Sequence, residues 1–101
     1  MIEAIRQKFA QDRFEFSRHA VDRMLLRDVI VQEVREAVAN GEVIEDYPQD
    51  KYGASCLIGG FTGNGRPLHI QCSYPDRSLI KVVTVYEPDP NEWINFKARV
   101  L

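Results

Sequence analysis

The chain has 101 residues, with 15 acidic against 13 basic side chains for a formal net charge of -2 and a sequence pI near 5.6. That length carries one domain, expected over residues 1–101, and excludes two. The acidic balance excludes a dedicated duplex-DNA binder, so no DNA partner is expected for the chain on its own. No apolar run approaches the roughly 18 to 20 residues that span a bilayer, so no membrane and a cytoplasmic location are expected.

Apolar residues at Ile2, Ile5, Phe9 and Ala10 recur at helical spacing and predict a short first helix, which ends before the extended stretch Phe14-Glu15-Phe16. Ser17 stands where an N-cap belongs, and Arg18 to Arg27 follows without Gly or Pro, which predicts a second helix. Ile30, Val31, Val34, Ala37 and Val38 restart the 3.6 period, and Asn40-Gly41 suits a left-handed cap at the end of a third. From Glu42 the pattern becomes strand: Val43 to Tyr47, Ala54 to Phe61, Pro67 to Tyr74 and Leu79 to Glu87. Helices thus occupy about 1–40 and strands about 42–87.

Thr62-Gly63-Asn64-Gly65-Arg66 and Pro75-Asp76-Arg77-Ser78 are hairpin turns, so strands two to four form an antiparallel meander. A three-residue loop at Gly63, Asn64 and Gly65, the expected one, puts Cys56 opposite Cys72 and Ile58 opposite Ile70, whereas a two-residue Asn64-Gly65 loop would shift every pair by one. Along the third strand Leu68, Ile70, Cys72 and Tyr74 alternate with His69, Gln71 and Ser73, which puts His69 on the polar face. The short C-terminal tail is too proline-rich to extend a strand, yet Trp93, Ile94 and Phe96 offer apolar surface to pack back.

His19, Arg23 and Arg27 are spaced by four, and at about 100° per residue each successive side chain turns by only about 40°, so they form one stripe. Two guanidiniums beside an imidazole repel one another unless an anion sits among them, and phosphate suits the planar fork of Arg. The other reading of the pattern pairs Arg23 and Arg27 with Asp22, Asp28 or the acidic stretch Glu42, Glu45, Asp46 and Asp50. His19 and His69 together would make an acid/base pair near neutral pH, whereas His69 alone is an ordinary sheet residue. No third metal ligand stands at a suitable spacing, so no metal and no cofactor are expected. The two cysteines form no CxxC pair and read as small core residues. Tyr86 and Thr84 share a strand face and can add hydroxyls to a site, although Tyr86 also fits a cross-strand aromatic. No Gly-rich phosphate loop follows a strand.

Several of these segments occur together in a known arrangement. The run from Phe16 through Ser17-Arg18-His19-Ala20 to Arg27, then Glu33-Val34, Gly41 to Tyr47, Gly65-Arg66-Pro67-Leu68-His69 and Val83-Thr84-Val85-Tyr86, resembles the bacterial family called domain of unknown function 4258. The resemblance runs from Phe14 to about Trp93 with the motifs in order. The family's S-x-H-A-x-x-R-M-x-x-R motif falls on Ser17, His19, Ala20, Arg23, Met24 and Arg27. Its R-P-L-H motif ends at His69 and its T-x-Y motif is Thr84 and Tyr86. Where the family commonly reads Gly-Ile-Ser after the second helix, this chain has Asp28-Val29-Ile30, which puts the start of the third helix in question.

That family looks like a distant relative of the RelE-type ribonuclease toxins. The resemblance implies an α+β fold with N-terminal helices packed on a four-stranded antiparallel sheet. It implies the toxin of a toxin–antitoxin pair, a metal-independent endoribonuclease acting on messenger RNA, free or on the ribosome, with a small zinc-finger antitoxin as partner. The alternative is a non-catalytic module that binds RNA or protein. The expected catalytic residues are His19, Arg23, His69 and Tyr86, and the expected RNA contacts are Arg27, Arg66 and Thr84.

Overall fold

All three amphipathic stretches are helical in a computed structural model that describes residues 1–101. α1 (Ile2–Ala10) buries Ile5 and Phe9, α2 (Arg18–Arg27) buries Ala20 and Met24, and α3 (Val31–Asn40) buries Val34, Ala37 and Val38. The Ser17 hydroxyl both starts α2 and docks it. Its oxygen accepts from the Ala20 N–H at 3.0 Å while its proton goes to the Val83 carbonyl of the sheet at 3.1 Å.

The α2–α3 junction forms without the Gly and Ser that the resemblance leads one to expect there. Asp28 takes the left-handed conformation, φ 55, that a glycine would adopt without strain. Ile30 has no side-chain acceptor for the first turn of α3, but Glu33 reaches back and accepts from the Ile30 N–H at 3.0 Å. At the other end of α3 the expected left-handed cap is corrected. Gly41 is extended at φ -80, and it is glycine for space, since a Cβ there would lie 2.6 Å from the Ala37 carbonyl oxygen and 2.7 Å from Ile58.

The sheet has five strands, not four, and is mixed. β1 (Phe14–Phe16), β2 (Glu42–Tyr47), β3 (Ser55–Phe61), β4 (Pro67–Ser73) and β5 (Ile80–Tyr86) lie in the order β1-β5-β4-β3-β2. The four expected strands are present to within one residue at each end. The addition is β1, which pairs parallel with β5 through Phe14 opposite Ile80 and Phe16 opposite Val82. Phe14-Glu15-Phe16 reads as extended from the sequence, but three residues are too few to mark a strand, and a partner so distant in the chain leaves no turn signal. The C-terminal segment is likewise more than a tail, because β6 (Trp93–Ile94) and β7 (Ala98–Arg99) form a hairpin of their own.

The β3–β4 loop has the expected three residues. Thr62 and Arg66 close it, with the Thr62 N–H donating to the Arg66 carbonyl at 2.9 Å, and Gly65 supplies the positive φ of 83 that the turn requires. Cys56 therefore faces Cys72 and Ile58 faces Ile70. These four, with Leu68, Ile80, Val82 and Val85, form the core against the buried faces of the helices.

Two substitutions test this packing. Gly60→Ala would place a methyl carbon 1.9 Å from the Ala37 carbonyl oxygen, so it should cost about 3 kcal/mol in chemical denaturation, and an unchanged midpoint would show that α3 does not sit this close to β3. Asp28→Gly removes left-handed strain and a carboxylate from the C-terminal end of α2, and should raise stability by about 0.5 to 1 kcal/mol in the same assay.

Candidate functional site

The arginine stripe is presented by a helix pinned along the edge of β5. Ser17 at one end bonds the Val83 carbonyl at 3.1 Å, and Arg27 at the other donates to the Val85 carbonyl at 2.9 Å. Between them His19 is exposed and Arg23 half-buried. Neither belongs to any ion pair, and Arg27 belongs to none either: the pairs are Arg35–Asp12, Arg66–Glu33, Arg66–Glu87, Lys97–Glu42 and Arg99–Glu45. The acidic stretch is occupied at the far edge of the sheet. Glu42 and Glu45 hold Lys97 and Arg99, Asp46 accepts from the Tyr74 hydroxyl, and Asp50 accepts from Ser55. The ion-paired reading of the stripe is not the arrangement that the chain adopts.

His69 lies on the sheet face away from the helices, as the alternation predicts, but it is 0% exposed because the β6–β7 hairpin folds over it. The Trp93 ring meets it edge-on at 4.4 Å and the Tyr86 ring at 5.2 Å. Its Nε2 is 2.6 Å from the Phe96 carbonyl and its Nδ1 is 3.1 Å from the Tyr86 hydroxyl. A carbonyl only accepts, so the neutral ring carries its proton on Nε2, and Nδ1 accepts the Tyr86 proton. Burial pushes the His69 pKa below the usual histidine value, partly opposed by the Phe96 bond, and burial likewise raises that of Tyr86. The cover is held from above by Arg99, which lies 4.6 Å over the Trp93 ring and grips Glu45 with two bonds of 2.8 and 3.1 Å.

The predicted residues therefore fall into three places. His69 and Tyr86 are partners under the hairpin, with Thr84 on the same face and Arg27 bonded to the residue just before Tyr86. His19 and Arg23 stand on the open surface of α2, and no cavity is lined by either of them together with His69. Arg66 is engaged with the protein itself. Its guanidinium donates to the Arg27 carbonyl at 2.8 Å, the Asp28 carbonyl at 2.9 Å and Glu87 at 2.7 Å, and pairs with Glu33 at 3.3 Å. It ties α2, α3 and the end of β5 into one corner.

The depressed His69 pKa has a stability consequence. Between the unfolded-state value near 6.5 and the lower folded one, the unfolded chain binds a proton that the folded chain does not, so stability falls as pH drops through that window. Melting temperature should decline from pH 7 toward pH 5, and His69→Gln should flatten that slope; an equal slope in the variant would place the titration elsewhere.

A family model described as domain of unknown function DUF4258 matches residues 16–87, which hold α2, α3 and β2 through β5. No curated protein and no solved structure matches the chain. The β6–β7 hairpin that covers His69 lies outside the matched segment. By that match across most of its length, the chain belongs to the DUF4258 family.

Proposed function

We propose that this protein is the toxin of a toxin–antitoxin pair, a cytoplasmic, metal-independent endoribonuclease related to the RelE type that cleaves messenger RNA, free or on the ribosome. One observation carries the reading: within the motif from Ser17 to Arg27, His19 and Arg23 are the positions without a structural task. Ser17 caps, Ala20 and Met24 pack in the core, and Arg27 anchors to β5, whereas His19 and Arg23 make no side-chain hydrogen bond or ion pair. An unneutralised cationic stripe on an acidic protein fits an anionic ligand, and a small zinc-finger antitoxin is the partner that would shield it.

In this reading a base removes the proton of a ribose 2′-hydroxyl, the oxygen attacks the adjacent phosphorus, and the bond to the 5′-oxygen breaks as that oxygen takes up a proton. The products are a cyclic phosphate and a free 5′-hydroxyl. His19 is the accessible imidazole for one proton transfer, and Arg23 with Arg27 meets the charge that builds on the phosphate. His69, enclosed with both ring nitrogens engaged, accepts the Tyr86 hydrogen bond and fixes its orientation; that pair stands apart from His19 and Arg23, so in this reading the second proton is exchanged with water. The non-catalytic alternative draws on the same enclosure, because burying His69 leaves one free imidazole where acid and base catalysis uses two groups.

Incubating purified protein with RNA, with and without ribosomes, tests the reading. Arg23→Ala should lower the cleavage rate by about 10² to 10³ with the melting temperature unchanged, Arg23→Lys should recover part of it, and EDTA should have no effect. Intact RNA in a stable complex would favour the binding module, and a folded Arg23→Ala protein that cleaves normally would remove Arg23 from the site.

A further inference from the structure

The sheet face away from the helices carries a second feature, at the opposite end from His69. A recess of about 390 Å³ opens there, lined by Ser17, Asp50, Tyr52, Ser73, Arg77 and Lys81 among others. Neither Arg77 nor Lys81 enters an ion pair, and Glu15, which faces Lys81 across the β1–β5 pairing, is not bonded to it. Lys8 adds a third cation to the same loop, its Nζ donating to the Arg77 carbonyl at 2.5 Å.

The hydroxyls of the recess differ in what they have left to offer. Ser17 donates to Val83 and accepts from Ala20; Ser55, on the other side of β4, donates to Asp50 and accepts from Gln71. Ser73 is only 6% exposed and accepts from the Lys81 N–H at 2.9 Å, yet its own proton has no protein acceptor. A buried donor without an acceptor beside two free cations favours an anionic oxygen.

The other wall has opposite character. Asp50 projects from the β2–β3 loop, held by the Ser55 hydroxyl at 2.9 Å and the Tyr52 N–H at 3.2 Å. Tyr52 is 84% exposed, with Lys51 5.0 Å above its ring. β3 and β5 are separated by β4, so the cationic and carboxylate walls stand about 10 Å apart. A compact anion fills only one side of such a space. A nucleotide fills both, with phosphate on one wall and a flat base bearing amino donors on the other.

We propose that this recess binds one nucleotide of a single-stranded RNA, its phosphate between Arg77, Lys81 and the Ser73 hydroxyl and its base against Tyr52 and Asp50. This rests on the reading of the α2 stripe as an RNA site and gives it a substrate-holding end: Ser17 lines the recess, and His19 follows two residues later on the helix. Under this proposal a strand anchored here reaches His19 and Arg23 by passing Ser17 at the start of α2.

Amide chemical shifts of the isotope-labelled chain, titrated with guanosine 5′-monophosphate, a single-stranded RNA hexamer and inorganic phosphate, test the proposal apart from cleavage. The hexamer should move the amides of Tyr52, Ser73 and Lys81 together with those of α2, and the monophosphate should move the recess alone. Inorganic phosphate should bind at least about tenfold more weakly than the monophosphate, since base stacking is worth about 1 to 3 kcal/mol. Lys81→Ala and Tyr52→Ala, each folded by melting temperature, should each weaken hexamer binding about tenfold. Shifts confined to α2, or hexamer affinity unchanged in both variants, would overturn the recess while leaving the stripe. Equal affinity for phosphate and nucleotide would reduce it to an anion site and also overturn the proposal. Recess binding with no RNA cleavage under any condition would keep the nucleotide site and discard the nuclease.

Discussion

The hydrogen bonds that close the Gly63-Asn64-Gly65 loop set the phase of the sheet. A loop one residue shorter would turn the side chains of β4 to the other face relative to β3, sending His69 into the core and Ile70 out of it. With the observed register Ile58, Ile70, Cys56 and Cys72 meet the helices while His69 stands on the far face opposite Gly59. The same loop delivers Arg66 to the corner where Arg27, Asp28, Glu33 and Glu87 converge. Sheet register and helix attachment thus share one turn.

Two close approaches complete the scaffold. Gly41 and Gly60 let the end of α3 meet β3 backbone to backbone, and Asn40 extends that contact by donating to and accepting from the main chain of Phe61 at 2.7 and 2.9 Å. On the other side Ser17 and Arg27 hold α2 to β5 at both ends. A helix fixed at its termini keeps the residues between them in a constant relation to the sheet edge. Rigid support of this kind is what a site needs when its charged groups have no partners of their own.

Local pattern made the helices, the meander strands and the β3–β4 register legible, because each is set by residues adjacent in the chain: Ser17 before an uninterrupted run, Gly65 at a positive φ, Leu68-His69-Ile70 in alternation. Phe14-Glu15-Phe16 was legible as extended, but its place in the sheet was not, since nothing near Phe14 refers to Ile80. The stripe was legible as a stripe, but its freedom from Asp22 and Glu45 depended on where those carboxylates go in three dimensions. His69 shows the limit most plainly. Its face followed from alternation, whereas its enclosure depends on Trp93 and on a Phe96 carbonyl turned inward by left-handed backbone at Asn95 and Phe96, φ 52 and 60. The aromatic tail hinted at packing; a backbone oxygen as the partner of Nε2 has no signature in residue identity.

The parallel pairing of β1 with β5 also orders events in time. Antiparallel hairpins form from neighbours, so β3, β4 and β5 can assemble by short loop closures, but Phe14–Phe16 finds its partner only after Ile80–Val82 has joined the sheet. During synthesis the first helix and β1 leave the ribosome long before that edge exists. Through that interval Phe9 and Phe14, which stack at 4.4 Å in the folded protein, lack the sheet edge that they pack beside. The edge strand is thereby the longest-range closure in the sheet, and the stretch between Ala10 and Ser17 waits for a partner made about 65 residues later.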